Sequence, residues 1–152
     1  MKIAIGADHA GFELKQKIRD HLKSQGFDVL DEGTNSPDSV DYPDYALKVS
    51  EDVTGHHADA GILVCGTGIG MSIAANKVQG VRAAHVTSTY EAQMAREHNN
   101  ANVVTVGARV LDEGTAIQAV EKFLHTPFAG GRHERRVQKI MEIEEQEQAH
   151  HA

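Results

Sequence analysis

A single cysteine followed at once by a glycine-rich run offers the most reactive chemistry in this sequence. Cys65 ends the apolar stretch Ala60–Cys65, and the next residues read Gly66-Thr67-Gly68-Ile69-Gly70. A helical pattern follows at 71–77, so the run should present unpaired backbone N–H groups, which stabilise an oxyanion, a phosphate or a thiolate. This arrangement favours Cys65 as a nucleophile or a general base. A small buried core residue is the alternative reading of a lone cysteine.

The glycine run differs from the better-known phosphate loops. Its spacing is GxGxG rather than GxGxxG, and the residue twenty positions after Gly66 is Val86 instead of an acid, which argues against NAD or FAD. It lacks the lysine of a nucleoside triphosphate loop. Met71 stands where a cysteine phosphatase would have arginine. A hydrolase with His9 or His98 paired to the thiol stays open, and proton transfer is the simpler chemistry.

Two further sets of side chains could bind an anion. Asp8 and His9 follow the first predicted strand directly. Arg132 and Arg136 are four residues apart, so they share one face of the last predicted helix, where Arg135 and Lys139 widen the positive patch. A solvated charged face is the usual explanation of such a cluster. In a chain of net charge −7, however, it is also the natural clamp for a phosphate dianion.

Composition limits the classes of function. The 152 residues fit a single domain, 1–152, and 15 basic against 22 acidic residues argue against general affinity for nucleic acid. No apolar run reaches 18 residues and the start does not read as a secretory signal, so we expect a cytoplasmic protein without membrane contact. No cluster has metal-ligand spacing, and adjacent His150 and His151 read as a solvated tail; we expect no metal and no cofactor.

The elements that must position these residues alternate between strand and helix. Five apolar or β-branched segments read as strands, at 2–6, 27–30, 60–65, 81–86 and 103–106. Helical patterns lie between and after them, segment 31–44 reads as a loop, and 144–152 reads as a fraying acidic end. The pattern predicts an α/β, doubly wound domain with a five-stranded parallel sheet and helices on both faces. If the strand order is 2-1-3-4-5, a ligand binds between strands 1 and 3, beside Asp8, His9 and Cys65.

Five blocks, in this order and spacing, resemble a known family. They read IGADHAGFELK, DYPDYA, CGTGIGMSIAANK, REHNNANV and GAR, and the resemblance runs from Met1 to about Ile143. The family is that of ribose-5-phosphate isomerase B and the galactose-6-phosphate isomerase subunits. Membership implies metal-free aldose-ketose isomerisation of a sugar phosphate. It also implies a Rossmann-like homodimer, which can pair into a tetramer, with the C-terminal helix packed on a partner subunit.

The resemblance implies a role for each matched residue. Cys65 would move a proton between C2 and C1 through a cis-enediolate, whose oxygens the backbone of Gly66, Gly68 and Gly70 would stabilise. Thr67 and His98 would assist opening of the furanose ring. The substrate hydroxyls would be held by Asp8, Tyr42 and Asn99, and its phosphate by His9, Arg109, Arg132 and Arg136. One branch of the family has a glutamate base directly after the glycine loop; this chain has Met71 there, which favours the cysteine.

The direction of the fourth helix adds a geometric expectation. His98 and Asn99 follow a helix that descends from the carboxyl edge of the sheet, so in one subunit they should lie at the edge opposite Cys65. We therefore predict an active site shared across a dimer. Three hypotheses follow: a ribulose 5-phosphate/ribose 5-phosphate isomerase of the non-oxidative pentose phosphate route, an isomerase of a six-carbon sugar phosphate such as allose or galactose 6-phosphate, and a non-catalytic module that binds a phosphometabolite.

Overall fold

Strands and helices alternate along residues 1–151, which are the residues described by the computed structural model, without the side chain of His151. The strands are β1 (Lys2–Ala7), β2 (Asp28–Gly33), β3 (Ala60–Cys65), β4 (Ala83–His85) and β5 (Val103–Gly107). The helices are α1 (Phe12–Ser24), α2 (Tyr42–Thr54), α3 (Ile69–Ala75), α4 (Thr89–Glu97), α5 (Glu113–His125) and α6 (Arg132–His151).

All the strand pairings in the sheet are parallel, and the strand order is β2-β1-β3-β5-β4. This corrects the order assumed from the sequence, because β5 rather than β4 pairs with β3. The burial of the two strands gives the physical reason: β5 is buried throughout, whereas the three residues of β4 are only half-buried and suit an edge. The change of direction between β1 and β3 remains, and with it the predicted crevice beside their carboxyl ends.

Two apolar layers cover the sheet, as expected for a doubly wound fold. On one face Ile18 of α1, Ala92 of α4 and Phe123 of α5 pack together on the sheet. On the other face, Val49 of α2 and Met71 of α3 belong to a second cluster, which also includes Cys65. Packing of the helices on both faces fixes the central strands, and the turns that follow β1 and β3 contain Asp8, His9 and the glycine run.

The predicted loop 31–44 is shorter in the structure. Strand β2 continues to Gly33, and α2 already begins at Tyr42, with Asp41 as its N-cap and Pro43 in its first turn. Proline lacks an N–H, but the first turn of a helix does not need one, so it suits this position. Asp41 and Pro43 were therefore helix-start signals as much as loop signals, and Tyr42 lies on a helix.

The last helix leaves the sheet and lies along its amino edge. Glu144 accepts hydrogen bonds from the Gly80 amide at 3.1 Å, and α6 continues to His151, so residues 144–151 of the segment predicted to fray are helical. Ile140 and Ile143 are exposed on this helix, at 45% and 60%. Among residues 1–151 no helix is both long and apolar enough to span a membrane. The side chain of His151, half of the histidine pair predicted to be solvated, lies outside the described residues.

Candidate active site

The sulfur of Cys65 lies against the backbone of the glycine loop. The Gly68 amide donates a hydrogen bond to Cys65 Sγ over 3.2 Å, and the side chain is almost buried, with 5% exposed. Gly68 has φ +83°, a left-handed conformation that L side chains rarely adopt, so glycine suits this position of the loop. An N–H donor at this distance stabilises a thiolate more than a thiol, which suits a proton acceptor.

The end of β5 holds the glycine loop in place. Ala108 N–H donates to the Cys65 carbonyl and Arg109 N–H to the Gly66 carbonyl, both at 2.9 Å. Gly107 passes so close to Thr67 that a Cβ at position 107 would lie 2.4 Å from the Thr67 carbonyl oxygen. Thr67 itself is exposed, and its hydroxyl oxygen accepts from Ile69 N–H at 3.2 Å. The Thr67 hydroxyl hydrogen is left to contact a ligand above the loop.

The turn after β1 lies beside the same loop. Asp8 N–H donates to the Val64 carbonyl at 3.3 Å, and the Asp8 carboxylate, almost buried, accepts from Gly11 N–H at 3.0 Å. His9 Nδ1 faces Val40 N–H at 3.2 Å and must accept from it. In the neutral imidazole the proton is then on Nε2, which can donate to a substrate oxygen.

Tyr42 and Arg109 complete this side of the site. A Cβ at Gly70 would lie 2.6 Å from Cε1 of Tyr42, so the phenol packs on the start of α3. The Arg109 guanidinium lies 3.2 Å from the Cβ position of Gly66. We call the predicted site residues gathered here the carboxyl-edge group: Asp8, His9, Tyr42, Cys65, Gly66, Thr67, Gly68, Gly70 and Arg109.

The remaining predicted site residues lie elsewhere, and we call them the amino-edge group: His98, Asn99, Arg132 and Arg136. Helix α4 ends at Glu97, and the chain then leads to the amino end of β5, where Asn102 accepts from Gly61 N–H at the start of β3. Strand β5 rises about 16 Å from there to the glycine loop. Within one chain the amino-edge group therefore cannot reach a substrate held at Cys65, which is the separation that the direction of α4 predicts.

The amino-edge group is held together by the connection before α6. Ala129 N–H donates to the Glu97 carbonyl at 3.2 Å, and the rings of His98 and His133 stack with centroids 4.2 Å apart and planes 15° apart. Burial and the charges of His98, Arg132 and Arg136 lower the pKa of His133, against the opposing charge of Glu97. The lowered pKa favours a neutral His133 ring beside the arginines.

Sequence reasoning did not single out His133. It lies between arginines in a basic helix, where histidine is ordinary, and its only signal was its adjacency to Arg132. Within residues 1–151 there is no set of three histidine, cysteine or acidic side chains placed to share a metal ion. A cavity of about 670 Å³ opens beside the amino-edge group, lined in part by Asn99, Ile140 and Ile143.

Comparisons with known proteins agree with one another. The sequence model of the family described as Ribose/Galactose Isomerase matches residues 3–140. Ribose-5-phosphate isomerase B of Escherichia coli strain K12 is 47% identical over 144 residues, which cover 95% of this chain and 97% of that protein. The solved ribose-5-phosphate isomerase B of Clostridium thermocellum superposes with a TM-score of 0.95 at 53% identity, covering 96% of this chain and 99% of that one.

A second solved structure carries a sugar phosphate. It is ribose-5-phosphate isomerase B from Mycoplasma genitalium with bound ribulose 5-phosphate, and it is 46% identical to this chain. The TM-score is 0.91, and the match covers 95% of this chain and 96% of that one. The similarity therefore extends over nearly the whole length of each chain, including both groups of site residues.

Proposed function

The chain belongs to the Ribose/Galactose Isomerase family, and from that premise we propose that it interconverts ribulose 5-phosphate and ribose 5-phosphate with Cys65 as the base. The observation that carries the assignment of the base is the hydrogen bond from Gly68 N–H to Cys65 Sγ at 3.2 Å. It supports a thiolate at the one place where the glycine loop can also bind the oxygens of an enediolate.

The proposed reaction assigns each step to a residue that the family resemblance implies. The furanose opens first, with the Thr67 hydroxyl and the His98 imidazole moving the ring proton. The Cys65 thiolate then removes the proton from C2 of the open-chain aldose, and the released electron pair forms the C1–C2 double bond while the carbonyl pair moves to O1. Return of that proton to C1, with the hydroxyl proton passing from O2 to O1, gives the ketose, and the thiolate is regenerated.

Backbone amides stabilise the intermediate. The N–H groups of the glycine loop are fixed before substrate arrives, so they do not have to reorient as charge develops on O1 and O2. Each such donor is typically worth about 3 kcal/mol in the transition state. Asp8, Tyr42 and Asn99 bind the hydroxyls, and neither this step nor proton transfer requires a metal or another cofactor.

The active site is shared between two subunits. Separation of the two groups of site residues by the length of a strand supports this arrangement, since one chain cannot bring His98, Asn99, Arg132 and Arg136 to its own Cys65. The partner supplies these four residues, whereas His9 and Arg109 bind the phosphate from the same chain as Cys65. Exposed Ile140 and Ile143 on α6 support a homodimer in which the last helix packs on the partner, and two dimers can form a tetramer.

With these substrates, the proposed role of the enzyme is in the non-oxidative pentose phosphate route, in the cytoplasm. The test is a turnover panel of five- and six-carbon sugar phosphates, run on the wild type and on Cys65→Ala. We expect highest kcat/KM for ribose 5-phosphate, and a kcat for Cys65→Ala lower by about 10³-fold or more with little change in KM.

The outcomes separate the competing functions. Preference for allose or galactose 6-phosphate would assign the six-carbon reaction instead. Near-wild-type turnover by Cys65→Ala would overturn Cys65 as the base. Absence of turnover with any sugar phosphate, together with unchanged ligand affinity in Cys65→Ala, would identify a non-catalytic binding module.

A further inference from the structure

Thr105 is a fully buried polar residue in an otherwise apolar strand. It lies in β5 between Val104 and Val106, and its side chain has 0% exposure. Its register partner in β3 is Leu63, which belongs to the apolar layer under α2 and α3, so Thr105 points to that layer as well. A hydroxyl buried there is costly unless it is hydrogen-bonded, and a valine would fill the same space without that cost.

The hydroxyl of Thr105 has two partners, and both lead to the glycine loop. It donates to the Gly68 carbonyl over 2.9 Å and lies 3.3 Å from Nδ1 of His85. Because the hydroxyl hydrogen is used by the carbonyl, Nδ1 must supply the hydrogen of the second bond. The His85 ring also lies directly beneath the loop, since a Cβ at Gly68 would come within 2.7 Å of Nδ1.

Gly68 is therefore held from below by its carbonyl while its N–H points at the sulfur. The hydrogen bonds form a continuous series from His85 to Thr105, from Thr105 to the Gly68 carbonyl, and from Gly68 N–H to Cys65 Sγ. The same carbonyl accepts the N–H of Ser72 in α3 at 3.1 Å, so Thr105 adds a second anchor, from the strand. Glycine restricts rotation between its two adjacent peptide units only weakly, so each anchor on the carbonyl limits how far the N–H can turn.

We infer that Thr105, supported by His85, is a positioning residue: by binding the Gly68 carbonyl it helps to hold the backbone of Gly68, and with it the adjacent peptide whose N–H donates to the base. This inference rests on the proposed function, because it assigns a purpose to the geometry around Cys65. Thr105 contacts neither substrate nor sulfur; it acts through Gly68.

Other charged groups near Cys65 are not partners in this series of hydrogen bonds. Asp8 and His9 follow β1, and Arg109, four residues after Thr105, bonds through its backbone N–H to the Gly66 carbonyl. A substitution at Thr105 leaves these groups in place. A change in thiolate reactivity can then be attributed to the Gly68 donor.

The test compares Thr105→Val, which keeps the shape and removes the hydroxyl, with Thr105→Ser, which restores it. Cys65 is the only cysteine in the chain, so the pH dependence of iodoacetamide alkylation reports on it alone. For Thr105→Val we expect the pH of half-maximal alkylation to rise by about 0.5–1 unit and kcat to fall about tenfold, with KM within about twofold. Thr105→Ser should lie close to the wild type in both measurements.

Ser50→Ala is the matched control. Ser50 is also fully buried and lies on α2, but its hydroxyl has no hydrogen-bond partner among the described residues. Its removal should change neither the alkylation profile nor kcat. His85→Phe, which keeps a ring under Gly68 without the Nδ1 hydrogen, should shift both readouts in the same direction as Thr105→Val by a smaller amount, and it carries the test if Thr105→Val does not fold.

An alkylation profile and a kcat that stay at wild-type values in folded Thr105→Val, or in His85→Phe if that variant carries the test, would overturn the inference. A variant with a lowered melting temperature but an unchanged alkylation profile and kcat would also overturn the inference, because that result is expected if the hydroxyl only stabilises the fold. Failure of the proposed function looks different: Cys65→Ala would then keep its turnover, whatever happens at Thr105.

Discussion

The predicted site residues at the two edges of the sheet differ in burial and in the contacts that hold them. At the carboxyl edge Cys65 and Asp8 are almost buried, and backbone hydrogen bonds of a single chain fix the loop around them. At the amino edge Asn99, Arg132 and Arg136 are exposed, and the contact that orders His98 is a stack on His133. Cys65, the proposed base, is thus preorganised by the fold of one chain, whereas the amino-edge group lies too far from Cys65 within that chain to reach the same substrate.

The difference matches two proposed tasks, proton transfer by Cys65 at the carboxyl edge and phosphate binding by Arg132 and Arg136 at the amino edge. Proton transfer needs a fixed donor geometry, which buried backbone amides provide at no cost in side-chain entropy. Phosphate binding tolerates longer and more mobile side chains, because arginine forks match phosphate oxygens from several directions.

The largest change in activity is expected from heterodimers in which one subunit carries a substitution at the carboxyl edge and the other subunit one at the amino edge. Cys65→Ala and His98→Asn should each lose most activity as homodimers. In a purified heterodimer of the two, one of the two sites combines an intact Cys65 with an intact His98, so we expect about half the wild-type kcat per dimer. Differently tagged, co-expressed subunits and a steady-state assay provide the measurement.

The control pairs two variants of the same edge. A Cys65→Ala/Thr67→Val heterodimer has damage in both sites and should show no such recovery. An inactive Cys65→Ala/His98→Asn heterodimer, or a fully active monomer in gel filtration, would mean that the two groups do not share a site.

A smaller effect is expected when only phosphate binding is weakened. Arg136→Ala removes a charged hydrogen-bond donor from the amino edge, and we expect KM for ribose 5-phosphate to rise about 30-fold while kcat changes less than about threefold. The control is Arg135→Ala, which removes an equal charge from the next residue and should leave KM nearly unchanged. An equal rise in KM in the two variants would indicate general electrostatic attraction of the phosphate by the basic helix instead of a specific contact with Arg136.

Glu32, near the carboxyl end of β2, should affect how folding stability depends on pH without taking part in the reaction. A hydrogen bond with Asp52, burial and the charge of Asp52 raise the pKa of Glu32 to about 7, against the attraction of Lys48. The folded chain therefore keeps a proton that the unfolded chain releases near pH 4.5. This contribution to stability is complete below the unfolded value and is lost as pH rises toward 7.

Glu32→Gln should accordingly reduce the loss of melting temperature between pH 5 and pH 8, by only about 2 °C because the side chain is half-buried and solvent screens its charge. Glu51→Gln, an exposed glutamate on α2, should leave that difference unchanged. A wild-type melting temperature that rises over this interval, with no change in Glu32→Gln, would contradict the assignment.

Chelation should have the smallest effect. Excess EDTA is expected to leave kcat and KM at both edges unchanged, since proton transfer uses the thiolate and phosphate binding uses arginine. Loss of turnover that added divalent metal restores would contradict the proposed mechanism.

Elements whose pattern is local could be predicted from the sequence. The uninterrupted apolar run of β3 gave its bounds, and the glycine run after it located Cys65 and Thr67. The strand order could not be obtained in this way, because whether β4 or β5 pairs with β3 depends on burial across the whole sheet. Tyr42 was assigned to a loop because proline is equally typical of loops and of first helical turns.

Site residues that act through packing were also missed. Thr105 reads as one more β-branched residue in a strand, and its role depends on register with His85 and closeness to Gly68, neither of which a sequence pattern contains. His133 likewise needs the contact between α4 and the start of α6. Reactive groups are visible in their spacing, whereas the residues that aim them become visible only in three dimensions.

Gly107 shows how far such constraints reach. It carries no functional group, yet any side chain there would meet the Thr67 carbonyl oxygen at 2.4 Å. In a saturation library selected for isomerase activity, position 107 should accept glycine alone. Such a library should tolerate substitution at Gly107 as little as at Cys65. Intolerance at a position would therefore mark either a reactive side chain or a place where the backbone leaves no room for one.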